Sequence, residues 1–232
     1  MNLAESMKHV LKSRSQTIFT QFWKDDLTLI LTDMKKDFVE MGKSGSQKVR
    51  ELRGQSLKAT FSEFKESAKD TVVIFKVVPG RIKDGFGYFQ DDLLAELERL
   101  PEQKQKTIFC LKVIGALGGS TLSAFNSMRK GGSNMRFSGL RIRNAFTHYL
   151  VTEMVFKLSQ VFILRILSEV EKELTDEHDK KNIRFFKDLL SDNNRLDKPE
   201  LLKEAPLEPG DKALEIVEKL RNYLLTGKQD VG

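Results

Sequence analysis

The sequence predicts an all-α protein: a single bundle of about seven or eight helices around one central apolar helix near residues 139–174. Three observations carry this expectation. The stretch Phe146 to Val170, FTHYLVTEMVFKLSQVFILRILSEV, repeats apolar residues at steps of three and four, with Met154, Leu158, Phe162 and Leu167 among its expected core positions. Val151, Phe156, Ile163 and Leu164 fall off that stripe, so the helix is apolar nearly all round and must be covered by neighbours or by lipid. Almost every other segment shows the same helical periodicity, and none shows the two-residue alternation of a strand beyond a hint at Leu140-Arg141-Ile142-Arg143.

Taken in order, the first helix is expected over Leu3 to Trp23. Asp25 or Asp26 can cap a second, with Leu27, Ile30, Met34, Phe38 and Met41 on one face and Gly42 as its stop. A third helix follows Ser46, with a stripe from Val49 to Phe75, and Pro79-Gly80 ends it. Arg81 to Gln90, holding Asp84-Gly85-Phe86-Gly87, reads as a turn-rich loop before a short helix with Leu93, Leu97 and Leu100. Pro101 starts a fifth helix that runs to about Met128, where Gly131-Gly132-Ser133 breaks the chain. Ser138 can cap the central helix, and Asp176 with Glu177 suits the first turn of the next. Three prolines between Ser191 and Gly210 mark a linker or surface loop, and a last helix spans Asp211 to Thr226 with its stop at Gly227. The expected division is a helical bundle over 1–190, the Pro-containing segment 191–210, and a C-terminal helix over 211–227 packed on the bundle.

At 232 residues, 40% hydrophobic and 31% charged, the chain is long enough for a sizeable core and is not of disordered composition. Sixteen Phe against one Trp and three Tyr means that the aromatics mostly fill apolar space. The single Cys110 excludes an intrachain disulfide and a Cys-based zinc site, and points to a reducing, cytoplasmic setting. The N-terminus has no uninterrupted apolar run of a secretory signal, and Glu5 with few Arg argues against a mitochondrial presequence.

Catalytic signatures are missing. Gly42-Lys43-Ser44 ends like a P-loop, but Asp37 replaces the first glycine and a helix precedes it where a strand is needed. His9, His148 and His178 have no second His or Cys at metal-ligand spacing, and no nucleophile elbow occurs. No cofactor or metal is expected. Gly115-Ala116-Leu117-Gly118-Gly119 would let a membrane helix pair closely, but insertion fails on magnitude. Seven large apolar residues contribute about −3 kcal/mol and Lys112 alone costs about as much. Packing against the central helix is the expected use of these glycines. Glu153 and Lys157 are spaced for a surface ion pair.

Charge is the strongest functional signal. Residues 1–143 hold 25 basic and 16 acidic side chains, a balance of +9, and the remainder holds 14 and 17, a balance of −3. No acidic residue lies between Glu102 and Glu153, where Arg129, Lys130, Arg136, Arg141 and Arg143 surround a Gly/Ser/Asn loop at the start of the central helix. Arginines beside a helix N-terminus suit an anion, unless acidic groups elsewhere in the fold neutralise them. In the N-terminal helix Lys8, Lys12 and Arg14 accompany Phe19, Phe22 and Trp23, the pattern of an interfacial helix or partner contact. The expected function is a non-catalytic helical binding protein that docks on an anionic partner. A peripheral membrane surface is preferred over nucleic acid, since the loop lacks interleaved aromatics and no helix-turn-helix or zinc-finger spacing is present. A protein-interaction or homodimer module, nucleic-acid binding through the same face, and an enzyme holding an anionic substrate stay open as alternatives.

Overall fold

The computed structural model describes the backbone over residues 1–30, 32–33, 36, 57–134, 142–191 and 205–227, and side chains over 1–30, 32–33, 36, 77–119, 155–191 and 205–227. Every regular element among them is helical, and the protein is an all-α bundle. Helix α1 (Leu3–Ser13) begins where Asn2 accepts the Glu5 amide at 3.0 Å, while the Glu5 carboxylate accepts the Asn2 amide at 3.4 Å. This capping box satisfies two otherwise free donors. The helix buries Leu3, Met7, Val10 and Leu11.

The expected single helix over Leu3 to Trp23 is broken at Arg14 (φ −121°, ψ −6°). Helix α2 (Ser15–Gln21) follows and passes directly into a π-helical segment, Phe22–Leu27. Phe22 and Leu27 are both buried although five residues apart, a spacing that a wider π turn serves better than an α turn. Asp25 and Asp26 do not cap a new helix. They turn toward Arg165, with Asp26 Oδ1 accepting from Arg165 Nη2 at 3.0 Å and Asp25 at 3.6 Å.

Helix α3 (Leu57–Arg99) runs through both Pro79-Gly80 and the expected loop at Arg81 to Gln90. A proline inside a helix removes one hydrogen bond and costs about 3 kcal/mol. The cost is offset by burial of Val78, Ile82, Phe86, Phe89, Leu93 and Leu97 on one continuous face. Gly85 has a packing reason: a Cβ there would meet Tyr223 Cδ1 at 3.0 Å, Leu224 Cδ2 at 3.1 Å and Leu220 Cδ1 at 3.3 Å, all on α7 (Lys212–Thr226). Gly85→Val is therefore expected to lower stability by about 1–3 kcal/mol through overpacking. A denaturation midpoint equal to that of the parent would show that α3 and α7 do not cross so closely.

Helix α4 (Gln103–Asn134) continues through Gly131-Gly132-Ser133, where a break was expected. Its Gly118 faces Phe186 and Leu189 of α6 (Glu177–Ser191), at 3.9 and 4.0 Å from an ideal Cβ, and Gly119 faces open space. At Gly118 the neighbour is thus α6, while α4 also packs against the central helix. The central position falls to α5 (Ile142–Glu173), which packs against α1, α2, the π segment, α3, α4, α6 and α7. Leu158, Phe162 and Leu167 are buried as expected, whereas the Met154 side chain lies outside the described residues.

Asp176 caps α6 by accepting the Asp179 amide at 2.9 Å, and Asp211 caps α7 by accepting the Ala213 amide at 3.1 Å. Gly227 closes α7 in the left-handed region (φ 70°), its amide donating to the Tyr223 carbonyl at 2.7 Å. Of the Pro-containing segment, residues 205–211 are irregular and Ala205 is buried.

Candidate binding face and its apolar cleft

The residues expected to touch an anionic partner fall into two groups. Arg136 and Arg141 lie outside the described residues; Arg129 and Lys130 sit on the backbone of α4 and Arg143 in the first turn of α5, with side chains likewise outside the described set. The N-terminal group can be followed in full. Lys8 and Lys12 reach Glu98 of α3 at 3.4 and 2.7 Å, and Lys12 more than Lys8 holds that carboxyl below its ordinary range. Arg14 bridges to Glu169 at 2.8 Å and Glu173 at 2.6 Å on α5. These three cations tie α1 to the bundle while remaining partly exposed. Phe22 is 0% exposed and leaves the surface set altogether; Phe19 is half-buried and Trp23 is 44% exposed. Helix α1 is a bundle member with its apolar face covered, so of this group only Phe22 is withdrawn from the surface.

Trp23 lies against Phe19, which lines a half-open cleft of about 500 Å³ between α2, α3 and α5. Its floor is an aromatic cluster: the Phe162 ring lies 4.4 Å from Phe86 and 5.2 Å from Phe22, and Phe86 lies 6.0 Å from Phe89, centroid to centroid. Ile18 and Phe19 of α2 form one wall, and Gly87 of α3 stands across from them. Ser15, Gln16, Thr20 and Gln90 give the rim neutral polar groups, and among the described residues Lys83 is the one charged residue that lines the cleft. Its ammonium sits 5.8 Å from the centre of the Phe19 ring, which in turn stacks at 5.7 Å on Trp23. Cation over ring at that distance is favourable by about 0.5–1 kcal/mol at an exposed site. The π segment that carries Trp23 borders this mouth, and such segments concentrate at functional sites.

Sequence reasoning found Phe19 and Trp23 but missed Lys83, Phe86 and Phe89, because it read Arg81 to Gln90 as a loop. Extending the helical period through that stretch would have placed Lys83, Phe86, Gly87 and Gln90 on one stripe.

Nothing on the described residues suggests acid–base or metal chemistry. Cys110 is fully buried, and burial first, then Asp179, pushes its thiol up to about 12, far from a reactive thiolate. No group of three His, Cys, Asp or Glu side chains among the described residues is placed to hold a metal ion, and no helix among them is long and apolar enough to cross a membrane. No family model, curated protein or solved structure matches the chain.

The acidic groups that hold α1 and α6 on α5 set a pH response. Glu169 is held below its ordinary 4.5, chiefly by a hydrogen bond from Lys172 and further by Arg14, against partial burial. Glu171 is lowered by Lys187 and then Arg184, again against partial burial. A carboxyl lowered in the folded state stabilises fully above its unfolded value and loses that contribution as pH falls through the folded value. Asp179, raised mainly by burial, works in the opposite sense: its contribution is present below 3.8 and lost as pH rises. The stability carried by Glu169 and Glu171 is therefore expected to be level above 4.5 and to fall below it, so the parent's thermal midpoint should drop on acidification more than that of the Glu169→Gln, Glu171→Gln double variant. An equal drop in parent and variant would contradict these ion pairs.

Proposed function

We propose that the protein is a non-catalytic helical binding protein that docks peripherally on an anionic membrane surface. The observation that carries this reading is the cluster of exposed Trp23, half-buried Phe19 and Lys83 beside an apolar cleft. Tryptophan beside a cation is suited to the headgroup boundary, where the ring enters the acyl edge and the ammonium meets lipid phosphate. The basic run from Arg129 to Arg143 supplies further positive charge in the same chain.

Co-sedimentation with phosphatidylglycerol-containing vesicles tests this reading. Binding is expected to require the anionic lipid and to weaken as salt shortens the Debye length from about 10 Å at 0.1 M to about 3 Å at 1 M. A basic residue near such a surface contributes about 1 kcal/mol, so reversing Arg141 and Arg143 to Glu together should weaken binding by well over about tenfold. Equal binding to neutral and anionic vesicles would remove the electrostatic argument. Steeply salt-dependent binding to nucleic acid, with none to vesicles, would move the function to that alternative.

A protein-partner reading draws on a separate observation. Val77 and Tyr88 on α3 and Leu225 on α7 are exposed, and Tyr88 packs edge-on to Tyr223 at 5.4 Å. Sedimentation at rising protein concentration distinguishes a self-associating chain from a monomer.

A further inference from the structure

We propose that the cleft between α2, α3 and α5 is a binding site for one long-chain monoanionic amphiphile, its hydrocarbon chain in the cleft and its anionic head on Lys83. Size, lining and charge each narrow the occupant. A volume of about 500 Å³ is that of a site for one small ligand, far smaller than the groove a partner helix would need. The floor of Phe86, Phe89, Phe162 and Ile166 offers carbon only, so the buried part of the ligand must be hydrocarbon. Lys83 to Gln90 line the cleft on one stripe of α3, giving a slot about 10 Å long at about 1.5 Å per residue. A slot of that shape fits an extended chain better than a compact ring system.

The head group follows from the rim. Among the described residues no acidic side chain lines the cleft, and Lys83 has the Phe19 ring as its contact and no carboxylate within ion-pair distance. The other charged cleft of the molecule is different in kind. There Arg165 is paired with Asp26 and Lys172 with Glu169, so its cations are already neutralised. A rim ammonium without an anionic partner, over an apolar slot, selects a carboxylate or a phosphate monoester or diester on a single chain. Neutral hydrocarbon would leave Lys83 without a role, and a cationic head would be repelled by it.

Gly87 provides a decisive variant. It lines the cleft, and a Cβ built there meets nothing within 4 Å. A Cβ at this position has open space at the lining of the cleft, and leucine favours helix over glycine. Gly87→Leu is therefore expected to fill the site while leaving the fold intact. Lys83→Met keeps the aliphatic stem and removes only the charge.

The experiment is a titration of the full chain with monomeric dodecanoate, followed by calorimetry and by the emission of Trp23, the single tryptophan. Dodecyltrimethylammonium and acetate serve as the opposite-charge and chainless probes. The expected result is saturable one-to-one binding of dodecanoate, binding weaker by about tenfold or more for the cationic probe, and none for acetate. Lys83→Met should weaken dodecanoate binding by about tenfold, and Gly87→Leu should abolish it with circular dichroism unchanged. Unsaturable binding, equal binding of both charged probes, or undiminished binding to Gly87→Leu would each overturn the proposal. If Gly87→Leu does not fold, Lys83→Met and the cationic probe still decide it. This site shares Lys83 and Phe19 with the membrane reading, but the two fail separately: vesicle binding without dodecanoate binding sinks the cleft site alone, and the reverse sinks the membrane reading alone.

Discussion

Replacing Phe162 with alanine is expected to lower the free energy of unfolding by about 3–5 kcal/mol, the largest single effect foreseen in this molecule. Phe162 lies on α5, and its ring contacts rings from three other segments: Phe86 of α3 at 4.4 Å, Phe22 of the π segment at 5.2 Å and Phe19 of α2 at 6.2 Å. Removing it deletes a buried aromatic surface and leaves a cavity whose walls belong to separate helices, so no single side-chain rotation can close it. Edge-on ring pairs add about 0.5–1.5 kcal/mol beyond burial, and Phe22 and Phe19 would each lose one. Urea denaturation should show a lower midpoint with an unchanged slope, the sign of a weaker fold of the same extent. A midpoint equal to that of the parent chain would mean that the cluster does not hold α2, α3 and α5 together.

The central helix was legible because its signal is local and redundant. Leu158, Phe162, Ile163, Ile166, Leu167 and Val170 are all buried, and their spacing alone announces a helix covered on most sides. Helix ends with a chemical signature were legible too. Asp211 and Gly227 bound α7 where a side-chain acceptor and a residue tolerant of positive φ were expected. The continuous α3 was not legible, because its local composition argues against a helix. Pro79 lacks a donor, and Gly80, Gly85 and Gly87 weaken the helix, yet the long apolar face and the close passage of α7 over Gly85 override them. Those overriding contacts come from residues beyond 210, and no window around Arg81 contains them.

The same separation explains the binding face. Lys12 and Arg14 read as contacts for a membrane or partner, and their ion-pair partners Glu98 and Glu169, 86 and 155 residues further along the chain, were out of view. Phe22 lay on the correct hydrophobic stripe and on the wrong side of the surface, since a π turn redirects it into the core beside Phe162. Trp23 is exposed and Phe19 half-buried, beside rather than on the stripe of Leu3, Met7, Leu11, Ile18 and Phe22. Lys83 became visible as a site residue only once α2 and α3 were seen side by side.

Asp211→Ala is expected to cost about 2–3 kcal/mol, because one carboxylate performs two tasks. Its Oδ1 accepts the Ala213 amide at 3.1 Å as the N-cap of α7, and its Oδ2 accepts from Lys112 Nζ of α4 at 2.5 Å. Loss of an N-cap costs about 1 kcal/mol. The rest comes from Lys112, which is 24% exposed and would be left partly desolvated without a partner. Removing one member of a fully buried pair costs about 3–5 kcal/mol, and the remaining exposure of Lys112 keeps this case below that range. Two companion variants separate the tasks. Asp211→Asn keeps a good capping oxygen and loses only the charge, so it should cost about half as much. Lys112→Met leaves the cap and its favourable charge at the helix N-terminus, removes the need to desolvate an ammonium, and should cost least. The expected order of denaturation midpoints is parent, Lys112→Met, Asp211→Asn, Asp211→Ala. Equal midpoints for the two Asp211 variants would deny the cap, and no change in either would mean that α7 is not fastened to α4 at this point.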